Sequence, residues 1–68
     1  MIELEEKKEL IRGLKRLSVH KYIVLLIVVM IKTDNQLKSM MDWIKDHQNE
    51  NPSQNEVFLA ALEIVKKE

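Results

Sequence analysis

Residues 22–31, YIVLLIVVMI, are ten apolar residues without a break in a chain of only 68. Such a run can be a membrane span, a buried strand or a core helix. As an α-helix it reaches about 15 Å, half of a hydrocarbon core of roughly 30 Å, so it does not span a membrane. It does not read as a secretory signal either. The preceding MIELEEKKELIRGLKRL is amphipathic and acid-rich, and KTDN follows where a small-residue cleavage site would stand. The run is expected to be a core element of one small domain covering residues 1–68.

Strand or helix turns on partners. Ile23, Val24, Ile27, Val28, Val29 and Ile31 are β-branched, which favours a strand. Yet no other stretch of the chain alternates, and a lone strand leaves its backbone groups unpaired. One Gly and one Pro among 68 residues also argue for long regular elements. With no cysteine for a disulfide, a chain this short depends on dense helix packing or on oligomerisation. The expected fold is therefore all-α: a compact bundle of four short helices, at about 3–17, 19–32, 34–48 and 53–66. The all-apolar second helix is expected at the centre, with whether the other three cover all of it left open.

The flanking segments carry ordinary helix signals. Leu10, Ile11, Leu14 and Leu17 form a stripe at helical spacing, acids open that segment and bases close it. Gly13 interrupts it and is expected to let the second helix approach closely. Ser18 is the expected N-cap of the second helix. Thr33 with Gln36, and Ser53 with Glu56, have capping-box spacing for the third and fourth. Leu37, Met40, Met41 and Ile44 give the third helix a clean stripe, with Trp43 at its edge.

Eleven basic residues balance eleven acidic ones, so net charge draws the chain toward neither nucleic acid nor an anionic membrane. The distribution is uneven, because every charge from residue 10 to 33 is basic. Lys8, Arg12, Lys15, Arg16 and Lys21 make the one candidate anion or nucleic-acid patch; helix-dipole compensation and solubility account for it more simply. Signals for chemistry are sparse. His20 and His47 have no ligand partners at metal spacing and read as helix-terminal residues, and the lone Gly13 makes no phosphate loop. Asp42 and Asp46, one turn apart, read as a solvated face. The expectation is no catalytic residue, no cofactor, no metal and no small-molecule substrate.

What remains is contact with another chain. Trp43 and Met40, together with an uncovered Val24, Val28 and Ile31 face of the apolar helix, are the expected protein interface. The expected role is a non-enzymatic interaction or regulatory module in the cytoplasm, without a membrane partner and most simply a homodimer. A second possibility rests on VVMIKT, DNQLKSMMDWIKDH and PSQNEVFLAAL, which together resemble the ribbon-helix-helix family of dimeric repressors over roughly residues 28–65. That resemblance implies a strand at VVMIKT, pairing between two copies and entering the DNA major groove.

Overall fold

A computed structural model describes residues 3–67, in which the chain forms α1 (Leu4–Arg16), α2 (Lys21–Met30), α3 (Asp34–His47) and α4 (Gln54–Lys67). There is no strand among the described residues, and VVMIKT instead supplies the last turn of α2 and its exit. The repressor-like ribbon is thus absent. α1 and α4 supply the apolar surface that a partner strand would have had to provide, and β-branched propensity yields to that packing.

α1 begins with Glu5 and Glu6 in its first turn and ends with Lys15 and Arg16 in its last, the order the helix dipole favours. It closes in a Schellman motif. Ser18 N–H donates to the Lys15 carbonyl (2.9 Å) and Val19 N–H to that of Leu14 (3.3 Å). Ser18 is the left-handed residue of this motif, with φ 60°. It terminates α1 rather than capping α2, which corrects the expected N-cap.

The N-cap of α2 is His20: its Nδ1 accepts from Tyr22 N–H at 3.2 Å, and its own N–H donates to Gln54 Oε1 at 3.0 Å. That second bond brings the starts of α2 and α4 together. α3 opens as expected, with a capping box. Thr33 Oγ1 accepts from Gln36 N–H (3.1 Å), and Gln36 Oε1 accepts from the N–H of Thr33 (3.2 Å) and of Lys32 (2.8 Å). Gln36 is buried, and these bonds satisfy its carbonyl. At α4, Ser53 Oγ accepts from Glu56 N–H (3.2 Å) and donates to Glu56 Oε1 (3.3 Å).

The helices form a ring. α1 packs on α2 and α3, α4 packs on the same two, and the α1–α4 and α2–α3 pairs lie across its diagonals. Leu10, Leu14, Ile27, Ile31, Met40 and Val57 are fully enclosed at its centre. The Cα radius of gyration, 10.6 Å, matches the roughly 11 Å of a compact chain of this length. A Cβ on Gly13 would lie 3.4 Å from Ile44, so the close approach at this glycine is by α3 and not, as expected, by α2.

This arrangement also settles how much of α2 the other helices cover. In a ring of four, each helix has two neighbours covering only part of its circumference. The amphipathic helices turn a polar side outward. α2 has no polar side to turn, and an apolar one is left facing solvent. No helix among the described residues is long and apolar enough to cross a membrane.

Candidate interaction surface

α2 buries Val24 and Ile27 against the bundle. On its opposite face Tyr22, Leu25, Leu26 and Val29 retain 63%, 57%, 50% and 69% of their exposure. Their spacing is i, i+3, i+4, i+7, which lines them up in one stripe along a single side of the helix. The stripe is held by the buried side of the same helix and by the His20 cap.

Neighbouring helices extend it. Gln54 meets the start of α2, so the row Gln54, Phe58, Leu62 at four-residue spacing marks the flank of α4 that faces α2. Leu62 is half-buried there, and Leu59 beyond it is exposed. On α1, Glu9, Gly13 and Arg16 face α3 across a surface groove of about 310 Å³. Leu4, Ile11 and Lys15, at i, i+7 and i+11, therefore lie away from α3, whereas Lys8 lines a second surface depression with Glu5, Glu9 and Arg12. Leu4 is exposed and Ile11 half-buried.

The interface expected from sequence lies elsewhere. Met40, Val24 and Ile31 are buried in the core and Val28 is half-buried, so the first three offer nothing to a second chain. Trp43 is half-buried, packed on the core and stacked on His47 with ring centroids 4.1 Å apart. The His47 Nδ1–H donates to the Trp43 carbonyl at 2.8 Å, which locks the stack onto the last turn of α3. Tyr22, Leu25, Leu26 and Val29 were hidden among ten apolar residues. A usable signal existed at the start of the helix: Lys21, Leu25 and Val29 fall at i, i+4 and i+8, so Lys21 marks the solvent side of the run.

The five basic residues are exposed but are not gathered on one face. Arg12 pairs with Glu9 at 2.9 Å, on the solvent side of α1. Arg16 lines the α1–α3 groove together with Glu9, Asp42 and Lys45, where the two signs alternate. Lys21 Nζ stands 5.4 Å from the Tyr22 ring centroid, within cation–π range and beside the apolar stripe. Lys8 lines a surface depression on α1 with Glu5, Glu9 and Arg12, where the signs again alternate. Among the described residues, no group of three His, Cys, Asp or Glu side chains is placed to hold a metal ion. The groove lies at the surface seam between α1 and α3, with Gly13 and Ile44 on its walls. No protein-family model, curated protein or solved structure matches the chain.

Proposed function

We propose that this chain is a non-enzymatic helical interaction module that docks another protein through the outer face of α2. One observation carries the reading: four apolar side chains, half or more exposed, stand in register on a helix whose other side is locked into the core. Scattered exposed leucines are ordinary on a small protein, whereas a contiguous stripe on one helix is the geometry of helix-to-helix recognition. Covering what remains exposed of each side chain contributes roughly 1–2 kcal/mol. The four together offset an association cost of about 4–15 kcal/mol only at its lower end, which fits reversible, regulatory binding. Work in the cytoplasm suits a chain without cysteine.

The test is a Leu25→Asp, Val29→Asp double variant in a pull-down from the native source, beside thermal melting of the purified chain. Loss of co-purifying protein with melting unchanged supports the docking face. Retention of the same partners by the variant sinks it.

A further inference from the structure

We infer that the occupant of the α2 face is an acidic amphipathic helix of a different protein, rather than a second copy of this chain; this rests on the docking reading above. The grounds are the charges around the stripe. From Leu10 to Thr33 every charged residue is basic. Lys21 and Lys32 bracket α2 at its two ends, and Lys15 lies on α1 on the side away from the α1–α3 groove. All three are exposed. Glu9 is engaged by Arg12, Glu5 and Glu9 stand beside Lys8 in a surface depression on α1, and Asp34 opens α3 two residues after Lys32, so Lys15 and Lys21 are the cations with no acid named beside them.

Self-pairing through α2 brings like charges together in either orientation. Antiparallel copies set Lys21 against the Lys32 end of the other chain, and parallel copies set Lys21 against Lys21. Like charges across an interface suppress association, while opposite charges steer it and fix its register. A helix with an apolar stripe at i, i+3, i+4, i+7 and Glu or Asp on both margins meets the whole face: apolar against Leu25, Leu26 and Val29, acid against the lysines. In a second copy Leu4 is the sole exposed large apolar residue of α1 and Leu59 the sole one of α4, so neither helix presents a full apolar stripe between its acids.

Two synthetic sixteen-residue helical peptides test this against the full chain by fluorescence anisotropy. They share one leucine stripe and differ only in carrying Glu or Lys on its margins. The Glu peptide is expected to bind about tenfold tighter in low salt, and the gap is expected to shrink as ionic strength rises. Leu25→Asp with Val29→Asp removes binding of both peptides, and Lys15→Glu, Lys21→Glu, Lys32→Glu reverses the preference with the stripe intact. Equal binding of the two peptides overturns the acidic occupant and leaves the docking face standing. So does a concentration-dependent dimer in sedimentation that Leu25→Asp returns to monomer. Binding to neither peptide overturns both, as does binding only to vesicles of phosphatidylcholine and phosphatidylserine.

Discussion

α2 and α3 are consecutive helices that meet the core in opposite ways. α3 sends Leu37, Met40 and Ile44 inward and leaves Lys38, Ser39, Asp42 and Asp46 to solvent. α2 sends Val24 and Ile27 inward and leaves Tyr22, Leu25, Leu26 and Val29 to solvent. In α3 the polar residues announce which side is outside before any neighbour is present. α2 lacks that information, and its neighbours choose the buried side. Hydrophobicity thus marks the core in one helix and is neutral about it in the other.

The sharpest way to break this comparison lies within α2. Ile27→Ala is expected to cost about 2–5 kcal/mol in urea unfolding, as a fully buried branched side chain leaves a cavity. Leu25→Ala, two residues earlier, is expected to cost under about 1 kcal/mol, because water already covers more than half of it. Equal losses at the two positions contradict the assigned faces.

The caps sharpen the comparison at the helix starts. Gln36→Ala leaves the N–H groups of Lys32 and Thr33 without their side-chain acceptor and is expected to cost about 1–3 kcal/mol. His20→Ala is expected to cost roughly 1 kcal/mol or less, its cap being exposed and one-sided. Amide exchange in the first turns of α2 and α3 separates these effects from global unfolding.

Smaller changes probe the α1 side. Gly13→Ala adds a methyl at van der Waals distance from Ile44 and removes a mid-helix glycine, for an expected gain of up to about 1 kcal/mol in thermal unfolding. Ser18→Gly relieves a left-handed residue in the Schellman turn, partly offset by the greater freedom of glycine when unfolded; the expected net gain is about 0.5 kcal/mol in the same melt. A loss at Ser18→Gly contradicts its assignment to the end of α1.

The helical class and the rough extent of each helix were legible because the signals are local. Thr33 and Gln36 close their box within four residues, and the α3 stripe repeats within one helix. Ser18 was misassigned because a serine between two helices serves equally as N-cap or turn residue, and only the backbone distinguishes φ 60° from an extended cap. Met40 was legible as apolar, but whether it faces the core or a partner depends on what lies opposite. The exposed face of α2 was the least legible part, as ten apolar residues give no phase; only Lys21, at its first position, gives one.

By itself, the sequence determined four helices, most of their caps, and a second helix without a polar side. Tertiary structure decided that this helix stands at a corner of the ring, that Gly13 serves α3, and that Tyr22, Leu25, Leu26 and Val29 face out. The physical reason is range. Caps and amphipathic stripes are satisfied within a few residues, whereas the burial of an all-apolar helix depends on how much of its circumference distant segments cover.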